Sequence, residues 1–432
     1  MKRIIKTVAV IIILPIIALW LLRFKSEFNI NIMEDDLKVS KKFKGLKGAI
    51  DFEIDQDGNY FVAFKDHIQY IDNRGKSDIL FKEENIEISS IAIKDEYIYY
   101  SSLDKVYKYN KITEEKEKVL DNIPNFGDYN KSNIMIKDES LFVTIGSATN
   151  SAIVGPDNLW VSNNPFNYDI TPKTITIRGT NFENGTTGAF VPYKTKNISG
   201  QIVPGHFPGN ASIIKYDIDS KKTELYAWGI RNVTALDYDS SGKIMGIVGG
   251  IEDRGLRPLK GDCDYIYNIK AGVWYGWPDY SGGDPVDSPR FKDNESRKIS
   301  FLLDKHPSTN PPAPLYQHNK LSTLRELVID KKGHIGEENV IYFYDIEDNI
   351  IYSLAKESVL KEFIKFQGTV EVSSMKFNAE NLNILDKSSG ILYEVKKGEI
   401  INNYALKRGI IYCILGVIGM IIISILWQSK NS

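Results

Sequence analysis

From Ala49 onward the chain repeats one pattern: a short run of alternating apolar and polar residues, a polar turn, then a second run rich in Tyr, Phe, Ile and Val. Alternation with a period of two, bounded by turn residues, marks half-buried β-strands joined as hairpins. The first copy is AIDFEIDQDGNYFVAF, with Asp57 and Gly58 at its turn. ISSIAIKDEYIYYS, NIMIKDESLFVTIG and VTALDYDSSGKIMGIV follow near Ile91, Ile134 and Leu236. RELVIDKKGHIGEENVIYFY near Val328 and VEVSSMKFNAENLNIL near Met375 bring the copies to six. The early copies recur at roughly 40 residues, the period of a four-stranded propeller blade. Radial closure of such blades protects sheet edges that would otherwise aggregate. The expected fold is therefore all-β, a six-bladed β-propeller over residues 25–403. A β-sandwich with coincidental turns is the alternative.

Both ends of the chain break the pattern. IIKTVAVIIILPIIALWLL, from Ile4 to Leu22, is apolar apart from Lys6 and Thr7. At about 1.5 Å per residue it can cross a hydrocarbon layer of roughly 30 Å. Lys2, Arg3 and Lys6 would suit a cleaved leader, but no small-x-small site follows, which favours a retained anchor over residues 1–24. The run from Gly409 to Trp427, within residues 404–432, carries no charge and ends on an interfacial Trp. Two spans put both termini on one side of a cell membrane. The expectation is a two-pass protein with a lipid bilayer as partner and the propeller outside the cytoplasm. Basic flanks do not fix the orientation, since Lys2, Arg3, Lys6 and Lys430 are matched by Arg23, Lys25, Lys407 and Arg408.

Charge then narrows the partners: 54 Lys plus Arg stand against 56 Asp plus Glu. This balance lacks the basic excess that phosphate backbones require, so nucleic acid is excluded as a partner. The two cysteines, Cys263 in a polar stretch and Cys413 in the second apolar run, have neither disulfide nor metal spacing.

Long inserts interrupt the repeat at residues 154–209 and 250–323, where loops on a rigid scaffold commonly carry binding groups. The first contains KTITIRGTNF and GAFVPYKT, which read as extra strands. AWGIRN places Arg231 and Asn232 just before a repeat strand, where one side chain can face the central channel. A guanidinium there forks onto a carboxylate or braces blade carbonyls. In WYGWPDY, Trp274, Tyr275, Trp277 and Tyr280 either pack the loop or stack on a planar ligand. Asp262, Asp264, Asp279 and Asp284 offer oxygen ligands to a hard cation, without EF-hand spacing.

LFVTIGSATN, YAWGIRNVTALDYDSSGKI, the RGLRP-to-YGWPD stretch and VSSMKFNAENLNILDKSSGILYEV together resemble, in order, the glucose/sorbosone dehydrogenase family, over Ala49 to Lys397. The resemblance implies a six-bladed propeller binding pyrroloquinoline quinone and calcium at the top of its channel and oxidising a sugar or aldehyde by hydride transfer. It implies that Arg231 and Asn232 face cofactor and substrate. Trp274 and Trp277 are the aromatic candidates beside the cofactor. Backbone at Gly255, Leu256 and Arg257 would offer calcium ligands, with Asp264 behind that loop. Two departures stand out. Where the family carries a proton-accepting His, GDYNKSNIMI offers Tyr129 or Asn130, and a phenol with an ordinary pKa near 10 is a weak base. The family's His-Ser-Ala-Pro motif is reduced to His318 and Asn319, and basic residues for the quinone carboxylates are not evident in the later blades. His206, His306 and His318 are the histidines that could substitute. Two functions remain: a membrane-anchored quinone-dependent sugar dehydrogenase, and a propeller that keeps the scaffold as an extracytoplasmic binding module.

The topology predicts that the full chain resists carbonate extraction from membranes while residues 24–403 alone are soluble, and that protease added to intact cells digests the propeller. Carbonate release of the full chain would contradict the anchors, and protection from protease would reverse the orientation.

Overall fold

The computed structural model describes residues 30–398, apart from 35, 293, 294, 296, 356–358 and 379. The apolar segments expected to span a membrane lie outside the described residues. Among the described residues, no helix is long and apolar enough to cross one.

Each of the six repeats forms the inner hairpin of one antiparallel sheet. The innermost strands are Asp51–Ile54, Ile88–Lys94, Ile134–Lys137, Val233–Tyr238, Leu324–Asp330 and Val372–Asn378. Each touches the next, and the last touches the first, so six blades surround one channel. Blades 1 and 2 are built from consecutive strands, blade 5 adds Ile30–Ile32 to the edge of four consecutive ones, and blade 3 admits the first insert between its second and third strands. The N-terminal strand Leu37–Lys44 supplies the outer strand of the last blade, pairing antiparallel with Ile391–Lys397 from Leu37↔Lys397 to Lys44↔Ile391. The ring is thus closed by hydrogen bonds between the two ends of the described chain. Asp51 reinforces the closure from inside, accepting from Ser374 Oγ of the last blade (2.7 Å) and from Ser90 Oγ (3.0 Å) and Ile91 N (2.9 Å) of the second.

Packing explains why the second strand of each repeat reads as an unbroken apolar run. A blade is sandwiched between two others, so both of its faces are buried. In Tyr60–Ala63, Tyr60 and Val62 pack against Leu385 and Leu392 of blade 6. Phe61 and Ala63 face Ile91, Ile98 and Tyr100 of blade 2. Every blade junction carries such a cluster, and a further one lies beneath the inserts.

Two expectations are corrected. The stretch 250–323 is not one insert, because Tyr265–Ile269 within it is the third strand of blade 4, paired with Ile244–Val248. Its five residues, enclosed by loop-like sequence, hid a buried strand. In the first insert, KTITIRGTNF yields only Ile175–Thr176, paired with Ile202–Val203, and GAFVPYKT forms no strand. There side chains such as Phe190 pack inward without a ladder.

Strand order places the start of every inner strand at the same mouth of the channel as the loops joining second to third strands. Four inner strands shift register near this end, between Ile88 and Ser90, Val233 and Ala235, Leu324 and Leu327, and Val372 and Ser374. Bulges of this kind re-aim side chains beside sites.

If closure holds the ring, Leu392→Ala, which empties a fully buried position opposite Phe43, should cost about 2–5 kcal/mol in chemical unfolding. Removal of residues 30–46 should expose the last blade and cause aggregation. A monomer lacking those residues with an unchanged melting temperature would contradict radial closure.

Candidate functional site

The mouth is assembled from segments far apart in sequence: 128–131 before blade 3, 147–158 and 249–257 from the inserts, and the links into blades 4 and 5. Arg231, directly before an inner strand, is 3% exposed. Its Nε donates to Asn150 O (3.1 Å), and one terminal nitrogen donates to Asn150 Oδ1 (2.9 Å) and the Tyr129 hydroxyl. The same nitrogen lies 3.0 Å from Glu252 Oε1, and the guanidinium centre sits 4.2 Å from the Tyr129 ring centroid. Burial pulls the Arg231 pKa down to about 10, with Glu252 opposing that fall.

A second guanidinium completes the network. Arg254 donates to Asp128 Oδ2 (2.7 Å), Asp157 Oδ2 (2.6 Å), the Tyr129 hydroxyl (3.0 Å) and Glu252. Tyr129 in turn donates to Glu252 Oε1 at 2.9 Å. Burial would raise the Glu252 pKa, but the charge of Arg231 and the bond from Arg254 outweigh it and hold the carboxyl below its ordinary value. Asn150 locks the loop: its Oδ1 accepts from Glu252 N (2.8 Å) and its Nδ2 donates to the carbonyls of Glu252 (2.8 Å) and Arg254 (3.1 Å).

Beside this network the channel opens into a cavity of about 400 Å³, lined by Tyr129, Asn130, Asn133, Asn232, Thr234 and Ser373 among others. That volume lies within the roughly 300–1,000 Å³ of small-molecule sites. Basic groups also line it: Lys131, Arg325, Lys376 and Lys387. Three of these, Arg325, Lys376 and Lys387, come from blades 5 and 6. Lys376 pairs with Glu53 (2.7 Å) and Lys387 with Glu371 (3.1 Å), while Arg325 donates to the carbonyls of Leu324 and Ser322. Glu326 also lines the cavity, and burial, with Asp51 nearby, raises its pKa well above the ordinary carboxylate value.

The residues singled out in the sequence separate into three groups. Tyr129 and Asn232 line the cavity, and Arg231 sits behind Tyr129 as part of the wall. Trp274 and Trp277 belong to the core beneath the inserts, 4% and 6% exposed. Trp274 stacks on His306, and Trp277 donates to Asn150 O (3.2 Å). Packing, not ligand contact, is what the structure assigns them. Asp264 accepts from the backbone N–H groups of Ser322 (2.9 Å), Thr323 (2.7 Å) and Leu324 (2.9 Å), which anchors the entry to blade 5. Leu256 packs against the insert core, and Gly255 lies against Asp157. The histidines stay apart: His206 is exposed, His306 pairs with Asp279 (3.0 Å) and His318 with Asp345 (2.8 Å).

The donor set can be tested against the two groups that the resemblance implies. For a carboxylated quinone, Lys131, Arg325 and the amides of the cavity offer donors to a planar anion, while Asp51, Asp128, Glu326 and Glu371 line the same space. The aspartate side chains offered for calcium are engaged elsewhere. Asp264 is committed to backbone donors, and Asp262 and Asp279 likewise accept backbone N–H groups, as from Ile251 and Leu302. Asp284 pairs with Arg290 (2.9 Å), and the carboxylates at the mouth already hold Arg254. Among the described residues, no three acidic, His or Cys side chains are placed to bind a metal.

Sequence reasoning passed over Glu252, Arg254, Asp128 and Asp157. The signal available was the alternation of charge in EDRG beside the quoted RGLRP, which only its partners across the mouth make meaningful.

No family model and no curated protein matches the chain. Solved structures do. A protein of Carbohydrate-Active Enzymes Family AA12 from Trichoderma reesei, in a calcium structure, is similar over 86% of this chain and 98% of its own, at 14% identity and a TM-score of 0.59. The holo pyrroloquinoline quinone domain of pyranose dehydrogenase from Coprinopsis cinerea covers 86% and 97%, at 12% identity and 0.57. The quinone-bound aldose sugar dehydrogenase from Streptomyces coelicolor covers 84% and 98%, at 12% identity and 0.51. At these identities the likeness is one of fold: this chain has the six-bladed architecture seen in quinone-dependent sugar dehydrogenase-like propellers.

Proposed function

We propose that the protein is a membrane-anchored sugar dehydrogenase-like propeller that holds a carboxylated quinone in its channel mouth and oxidises a sugar or aldehyde outside the cytoplasm. The observation that carries this reading is the cavity itself, whose lining brings Lys131, Arg325, Lys376 and Lys387 together with amides and hydroxyls, alongside Asp51, Asp128, Glu326 and Glu371. Lys131, Arg325 and Lys387 would face the quinone carboxylates, while Asn130, Asn232 and Ser373 would bond sugar hydroxyls. The quinone, when bound, supplies the hydride acceptor. The chain's own task is the proton. A sugar hydroxyl would displace the Arg254 N–H from the Tyr129 oxygen and pass its proton there as the phenol passes its own to Glu252 Oε1, 2.9 Å away. Glu252 is held ionised by two guanidiniums, which keeps an acceptor ready. Anchoring is supported by the chain's path: Ile30–Ile32 lies on the edge of blade 5 and Ile391–Lys397 in blade 6. Both flanking segments therefore attach through neighbouring blades.

One observation favours a binding module instead. Arg231 is buried among internal partners, and no imidazole lines the cavity among the described residues.

Titration of the purified chain with pyrroloquinoline quinone separates the two. Lys387→Ala should weaken quinone binding by about one to two orders of magnitude, the worth of a charge-assisted bond. Tyr129→Phe should leave that affinity unchanged and reduce sugar-dependent dye reduction by roughly 10²–10⁴-fold. Quinone binding with no sugar turnover in the unaltered protein would favour the binding module. Failure to bind quinone would overturn the proposal.

A further inference from the structure

Carboxylates from separate segments converge at the mouth: Asp128 before blade 3, Asp157 in the first insert and Glu252 in the loop of blade 4. Converging oxygens are what a hard divalent cation requires. Here the point of convergence is already filled by a positive charge from the chain, since Arg254 donates to all three. We infer that Arg254 is a resident cation: its guanidinium ties the three carboxylates of this mouth together, each through a different nitrogen, so the site is built without metal. This rests in part on reading the mouth as the ligand site.

The surroundings show that the position is built for the guanidinium. Asp128 spends its second oxygen on Trp160 Nε1 (2.8 Å) and also accepts from Asn158 Nδ2 (2.9 Å), which aims Oδ2 at Arg254. Gly255 follows Arg254 at φ +77°, and an added Cβ there would lie 2.8 Å from Asp157 Oδ2. Only glycine lets the loop press this closely on the carboxylate. The carbonyl of Arg254 is fixed by Asn150 Nδ2, so the backbone that carries the guanidinium is pinned as well. One lone oxygen, Asp157 Oδ1, is buried without a hydrogen-bond partner. Divalent-ion geometry would use such an oxygen, whereas the fork of one guanidinium leaves it over. A metal and Arg254 cannot share the position, because two cations a few ångströms apart in a partly buried site repel strongly.

The test uses the full chain in detergent or nanodiscs, followed by thermal unfolding and by calcium titration calorimetry, each with and without chelator. The unaltered protein should melt at the same temperature in millimolar calcium and in chelator, with no calcium binding heat. Arg254→Gln removes the positive charge that the three carboxylates share, so the melting temperature should fall, and calcium should not restore it, because no three acidic side chains among the described residues are placed to bind a metal. Arg254→Lys, which retains the charge, should remain indifferent to calcium and shows whether the loop folds when the glutamine variant does not. Calcium binding by the unaltered protein would overturn the inference, as would an Arg254→Gln protein that melts at the temperature of the unaltered one. A failed quinone titration would instead count against the proposed function and leave these arms decisive.

Discussion

The mouth depends on one buried interaction, the pairing of Arg231 with Glu252. A guanidinium 3% exposed carries a desolvation cost of several kcal/mol, which only a well-placed carboxylate and further hydrogen bonds can offset. Glu252 provides the charge, while Asn150 and Tyr129 take up other donors. Because these partners come from separate loops, satisfying Arg231 means assembling the mouth. Arg254 then extends the pattern outward to Asp128 and Asp157, so one alternating chain of charges joins both inserts to the ring. Removing one member would leave its partner charged and unpaired in a poorly solvated place.

The closed ring makes that assembly possible. Six inner strands bring segments as distant in sequence as 128–131 and 322–323 to one end of a channel. Pairing of Leu37–Lys44 with Ile391–Lys397 holds the circle against outward slippage. Both faces of each blade are buried, so the scaffold is stiff where it bears the loops. The loops vary in length without disturbing it.

The fold was legible because propeller hairpins are local. All six inner hairpins coincide with the repeats read from alternation, since neighbouring strands in sequence are neighbours in space. The strand Tyr265–Ile269 escaped because its partner Ile244–Val248 is separated from it by an insert, and its five residues carry no turn of their own. The site was legible only in part. Arg231 and Asn232 were identified by position before a repeat strand and Tyr129 by the family resemblance, and the structure places all three at the mouth. Trp274 and Trp277 attracted attention as aromatics in a distinctive motif, yet their size serves the core beneath the inserts. Asp264 looked like a cation ligand because a carboxylate and a backbone-capping residue read alike until the N–H groups of Ser322, Thr323 and Leu324 are placed around it. Glu252 and Arg254 were invisible for the converse reason: they sit two residues apart in an ordinary charged loop, and their meaning lies in Tyr129 and Asp128, 123 and 126 positions away.

A double-mutant cycle between Arg231 and Glu252 probes this organisation most directly. Arg231→Gln, Glu252→Gln and the double variant would be compared with the unaltered chain by chemical unfolding. The account predicts strong coupling, on the order of 1–3 kcal/mol, with the double variant more stable than the two single losses together imply. Losses that add to within about 0.5 kcal/mol would contradict it, because Arg231 and Glu252 would then stabilise the mouth independently.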